Sequence, residues 1–117
     1  MYLRLQASYN SEYTGKPCGV FGAVHHLKQK GLLSDDEIRL LEEIESWFEE
    51  NLPNPPFYEQ GNSNRATTWF KASARCMIDK LLPLKEIAGR HGVLLEIAET
   101  DCPGQIIYED EHQVAAT

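Results

Sequence analysis

The stretch Ser34–Phe57, SDDEIRLLEEIESWFEENLPNPPF, decides how this chain folds. Ser34 followed by Glu37 is the pattern of a capping box, in which hydroxyl and carboxylate each accept from a free backbone N–H of the first helical turn. Asp35 and Asp36 add negative charge where the helix dipole favours it. Ile38, Leu41, Ile44, Phe48 and Leu52 recur at spacings of three and four, so they form one apolar stripe, widened by Leu40 and Trp47. The predicted helix ends near Leu52, because Pro53 disfavours helical geometry at the residue before it. Pro55 and Pro56 then hold an extended path that brings Phe57 and Tyr58 back toward the body. Trp47, Phe48 and Phe57 are read as core residues; the other reading is an exposed aromatic groove that takes a partner.

On the N-terminal side, Tyr2, Arg4 and Gln6 alternate with Leu3, Leu5 and Ala7, which predicts a strand over Met1–Ser8 with one buried face. Tyr9–Lys16 reads as a polar loop. Pro17 suits a first helical position, Val20, Phe21, Val24 and Leu27 follow at helical spacing, and Gly31 stands where a left-handed cap belongs, so a first helix is expected over Pro17–Lys30. Gly19 and Gly22 inside it suggest close approach of another backbone. Leu32 or Leu33 is placed to staple the entry to the next helix.

On the C-terminal side, Glu59–Asn64 is a turn-rich connection, with Asn64 as the N-cap of a third helix. Ala66, Phe70, Met77, Leu81, Leu84 and Ala88 give its stripe, with Trp69, Ile78 and Ile87 beside it. Pro83 predicts a bend or restart, and Gly92 the end. Val93–Thr100 and Gln105–Glu109 read as strands joined by the turn signal Asp101–Gly104, and Gln113–Ala116 as a final strand after a tight turn or bulge at Asp110–His112. The order β-α-α-α-β-β(-β) predicts a single α+β domain over residues 1–117. Its sheet would be small and mainly antiparallel, with the helices on one face.

Bulk properties narrow the function. The 117 residues suit one domain, and 42% hydrophobic with 25% charged residues is ordinary for a globular protein. No apolar run approaches a membrane span and the first residues lack a signal-peptide pattern, so no membrane association and a cytoplasmic location are expected. Three widely spaced cysteines, Cys18, Cys76 and Cys102, argue for reduced thiols, with Cys76 buried on the third helix. A net charge of −7 argues against direct nucleic-acid binding and suits either solubility or a basic partner surface.

Three segments, WFEENLPNPPF (Trp47–Phe57), TWFK (Thr68–Lys71) and PGQIIYEDEHQVAA (Pro103–Ala116), together resemble a widespread family of small uncharacterised bacterial proteins. The resemblance spans nearly the whole chain. It implies a single bacterial or phage-borne domain and carries over no catalytic residue.

The candidate chemistry is sparse. His25 and His26 diverge on a helix and no His or Cys pair has ligand spacing, so neither a metal nor a cofactor is expected. Carboxylates are too numerous to single out an acid–base pair, and no catalytic residue is assigned. Thr14 and Lys16, before free N–H groups at a helix start, offer a weak anion site. Trp69 and Lys71, placed on a helix beside Tyr108, offer a polar-aromatic pocket. These five residues are the candidates for a nucleotide-like ligand. The leading expectation is a non-catalytic interaction domain that docks Asp36, Glu43, Glu49 and Glu50 onto a basic protein surface. Phage-type inhibitors that occupy a cationic channel of a defence complex are an example of this mode. A homodimer is also compatible with the sequence.

Overall fold

In the computed structural model, which describes residues 1–57 and 65–117, strand β1 (Tyr2–Asn10) buries Leu3, Leu5 and Ala7 as their alternation predicts. One edge of β1 carries β4 (Leu95–Thr100) along Tyr2–Ala7. The other edge is shared by two short strands: β3 (Thr67–Lys71) pairs with Tyr2 and Leu3, and β2 (Pro17–Gly19) pairs with Gln6 and Asn10. The sheet therefore forks beside Arg4. Beyond β3 come β6 (Gln113–Ala116) and β5 (Ile106–Glu109), and every pairing is antiparallel. Every residue of β6 is buried, so both faces of that strand are covered.

The helices α1 (Val20–Gln29), α2 (Asp35–Asn51) and α3 (Arg75–Arg90) share one core with β1 and β4. Leu5 and Leu95 from the sheet meet Val24 and Leu27 of α1, Leu41 and Ile44 of α2, and Leu81, Leu84 and Ile87 of α3. The chain is an α+β domain with its helices on the Leu3–Leu5–Ala7 face of an antiparallel sheet. Among the described residues no helix is long and apolar enough to cross a membrane.

α2 forms as its local signals dictate. Ser34 Oγ accepts from the Glu37 N–H at 3.2 Å, and the Glu37 carboxylate accepts from the Ser34 N–H at 2.9 Å. Leu33 is buried just before the cap while Leu32 is exposed, so Leu33 is the apolar residue on the core side of the entry. α1 and α3 end alike. Gly31 and Gly92 adopt φ of 72° and 81°, and Leu32 and Val93 donate back to the carbonyls of Leu27 and Ala88.

Five expectations are corrected. Pro17 does not open a helix: it starts β2, where a residue without an N–H is tolerated, and α1 begins three residues later with Gly19 as its N-cap. Thr67–Lys71 is a strand rather than the start of the third helix; its β-branched and aromatic residues suit the pleat, and pairing to both β1 and β6 supplies the hydrogen bonds. The Asn64 cap falls outside the described residues. α3 neither ends nor restarts at Pro83, since Leu81, Leu84 and Ile87 hold it on the core around the missing hydrogen bond. Cys76 is exposed, whereas Cys18 is buried. The neighbours of Gly19 and Gly22 are side chains: an added Cβ would lie 3.0 Å from the Arg4 guanidinium and 3.0 Å from the Cys18 sulfur, respectively.

Gly104, at φ 114°, leads into β5 at the open end of the β5–β6 hairpin, where Gln105 and Thr117 exchange two backbone hydrogen bonds. A Cβ there would overlap the Thr117 carbonyl oxygen. Gly104→Ala is expected to cost about 3 kcal/mol, because strain and overlap add. Gly31→Ala, left-handed but with open space around it, should cost about 1 kcal/mol, and urea titration of both variants measures the difference.

Candidate functional site

α2 presents two chemically different flanks. Residues seven apart on a helix return to within about 20° of one direction. Asp36, Glu43 and Glu50 therefore form one outward stripe, and all three are exposed. Glu42, Ser46 and Trp47 lie beside it and form a shallow surface groove with Arg39, Glu43 and Glu50. The basic groups here are Arg39, 3.6 Å from Asp36, and Lys80 of α3, whose ammonium lies 5.3 Å from the centre of the Trp47 ring. Among the described residues Glu42, Glu43, Glu49 and Glu50 join no ion pair. Glu49 and Glu50 stand at the negative end of the helix, whose last turn holds no basic residue.

The other flank of α2 faces a cleft of about 620 Å³. It opens where β2 and β3 diverge from β1. Phe21 from the start of α1, Phe48 from α2 and Phe70 from β3 form its walls, with Glu45 and Glu49 at the rim. The rings of Phe21 and Phe48 meet edge to face at 5.7 Å, and Phe48 and Phe70 lie 6.2 Å apart. Of the phenylalanines and tryptophans only Phe48 is buried; Phe21, Phe57, Phe70, Trp47 and Trp69 are half-buried. Phe48 is thus core as expected, Trp47 packs half-buried against that core and Phe57 lies half-buried against Tyr108, while the cleft is a partly open wall of Phe21, Phe48 and Phe70. Arg4 lies in the fork, donating to the carbonyls of Pro17 (3.0 Å) and Thr68 (3.2 Å). Glu45 is held from α1 by His25 at 3.1 Å, while His26 turns away to Tyr9 at 3.0 Å.

The five ligand candidates do not converge. Thr14 and Lys16 sit in the β1–β2 hairpin, where Ser11 and Lys16 close the turn and the Thr14 hydroxyl accepts from the Lys16 N–H. Tyr2, which pairs with Lys71, is at the far end of β1 from Asn10, which pairs with Pro17. The eight residue steps between them span roughly 26 Å at the rise of a strand. Trp69 and Lys71 lie on β3, not on a helix, and Lys71 is bound to Glu109 at 2.6 Å. Tyr108 donates to Asp110 at 2.7 Å. That bond, with burial, raises the Tyr108 hydroxyl above its ordinary pKa.

Asp110 is a structural centre that its sequence setting only hinted at. One carboxylate oxygen accepts from the backbone N–H groups of His112 (2.8 Å) and Gln113 (3.1 Å). The other accepts from the Tyr108 hydroxyl and from Gln113 Nε2 at 2.9 Å. Gln113, 1% exposed, also donates to the Pro53 carbonyl at 2.6 Å, which pins the chain leaving α2 to the sheet. Burial alone would raise the Asp110 carboxyl; the donated hydrogen bonds outweigh it and hold the group below the ordinary range.

The cleft residues Phe21, Glu45 and Phe70 were not singled out as site residues by sequence. The available signal was helical spacing at Phe21 and at Phe70, and that spacing equally describes core positions; at Phe70 it also misread a strand as a helix.

The fold and its site define an α+β domain with an acidic, partly aromatic helix on its surface. Comparison with family models, curated proteins and solved structures finds no match.

Proposed function

We propose that this chain is a non-catalytic protein-interaction domain that docks the outer face of α2 onto a basic surface of another protein. The observation that carries the reading is the group of glutamates on that face that join no ion pair among the described residues, Glu42, Glu43 and Glu50, gathered around a half-buried tryptophan. Glu50, with Glu49 before it, stands in the last turn of α2, where a carboxylate costs stability that a cationic partner removes. The ligand candidates Tyr108 and Lys71 are instead bound to Asp110 and Glu109.

The test is partner capture from a bacterial lysate at about 0.05 and about 0.5 M salt, since charge docking is screened at the higher strength. Capture by the native chain should fall with salt. It should fall roughly tenfold or more in Glu43→Lys/Glu50→Lys and stay near native in the charge-matched control Glu96→Lys/Glu99→Lys, whose residues are exposed on β4. Salt-insensitive capture, or equal loss in both variants, would contradict the docking face.

A further inference from the structure

We infer that the cleft between α1, α2 and β3 is the specificity pocket of this docking surface, taking an apolar, preferably aromatic, side chain from a basic segment of the partner. The inference rests on the docking role proposed for α2 and extends it to the helix's second flank. The cleft, at about 620 Å³, falls in the size range of ligand sites and has room for a large side chain with part of its neighbours. Its walls are aromatic, and two of the three rings remain half-exposed in the folded chain. Apolar surface left open in a concave site gains free energy when an apolar group fills it.

Charge selects the occupant. Glu45 and Glu49 stand at the rim; Glu49 lies about 100° around α2 from Glu50, with the exposed Glu42 and Ser46 between them, so the acidic outer face reaches from the stripe to the rim. Arg4 contributes the opposing charge, but its guanidinium lies in the fork and donates to two backbone carbonyls. Among the described residues His25 engages only Glu45. A segment carrying lysine or arginine on either side of an aromatic residue matches an apolar floor under an acidic rim.

The experiment uses the full chain labelled with 15N and three blocked hexapeptides: Lys-Lys-Phe-Leu-Lys-Lys, Lys-Lys-Ala-Ala-Lys-Lys and Glu-Glu-Phe-Leu-Glu-Glu. The first should shift the amide signals of Val20, Phe21 and Gly22. The second should bind roughly tenfold more weakly or worse, and the third should not bind. Glu49→Lys, an exposed substitution that leaves the fold intact, should weaken the first peptide by several-fold. Phe21→Ala should weaken it further, and its thermal melt reports whether the variant is folded. If the alanine peptide binds as well as the first and shifts only Glu43, Trp47 and Glu50, the pocket is refuted while the docking face stands. Equal binding of the acidic peptide, or no shift at the cleft with any peptide, also overturns the pocket.

Discussion

Asp110→Ala is expected to lower stability by about 3–4 kcal/mol, which for a domain of this size is roughly 10–15 °C in Tm. The carboxylate accepts four hydrogen bonds, two from the hairpin backbone and one each from Tyr108 and Gln113. Gln113 is buried, so alanine strands a donor that water cannot reach. It also frees the Pro53 end of α2, because Gln113 loses the partner that orients its amide. Asp110→Asn keeps one oxygen for the two backbone donors but turns an NH₂ toward Gln113 Nε2; it should recover about half of the loss. Urea unfolding of the three proteins measures this. A loss under about 1 kcal/mol in the alanine variant would mean the network is not load-sharing and Asp110 is free for another role.

Acid should weaken the fold through Glu37. Its carboxylate caps Ser34 and binds His91 of α3's end at 3.0 Å, with exposed Arg90 at 3.5 Å. The backbone hydrogen bond from Ser34, then the one from His91, lower its pKa from an ordinary 4.5 to about 2. The folded state thus holds this proton less tightly than the unfolded chain. Between about pH 4.5 and 2 the unfolded chain binds more protons, so stability rises with pH across that window. The contribution is complete above the ordinary carboxyl pKa and is lost as pH falls through the folded value. Asp110, also held low, adds a loss of the same sign. Denaturant midpoints from pH 7 to 2 should fall mainly below pH 4.5, and Glu37→Gln should flatten that fall. Glu37→Ala should cost about 2 kcal/mol at pH 7, from the lost cap and the severed link between α2 and α3. An unchanged pH profile in Glu37→Gln would show that the carboxylate is not the titrating group.

The parts of the fold that could be read in advance are those whose stabilising contacts lie within a few residues. The capping box of Ser34 and Glu37, the stripe from Ile38 to Phe48 and the stop at Pro53 define α2 on their own, and its acidic outer face follows from the same periodicity. The alternation in β1 and the cap signals at Gly31 and Gly92 are of the same kind.

What the amino-acid sequence determined by itself is therefore the α+β class, the central acidic helix and the C-terminal ends of the helices. Tertiary structure alone decided that Pro17–Gly19 and Thr67–Lys71 are strands, because three- and five-residue segments become strands only when β1 offers an edge. It also decided the joining of Glu37 to His91 and of Gln113 to Pro53, across 54 and 60 residues. The cleft exists only because those two short strands share one edge of β1 and part beside Arg4. No local pattern encodes a gap between segments that are neither adjacent in sequence nor paired with each other.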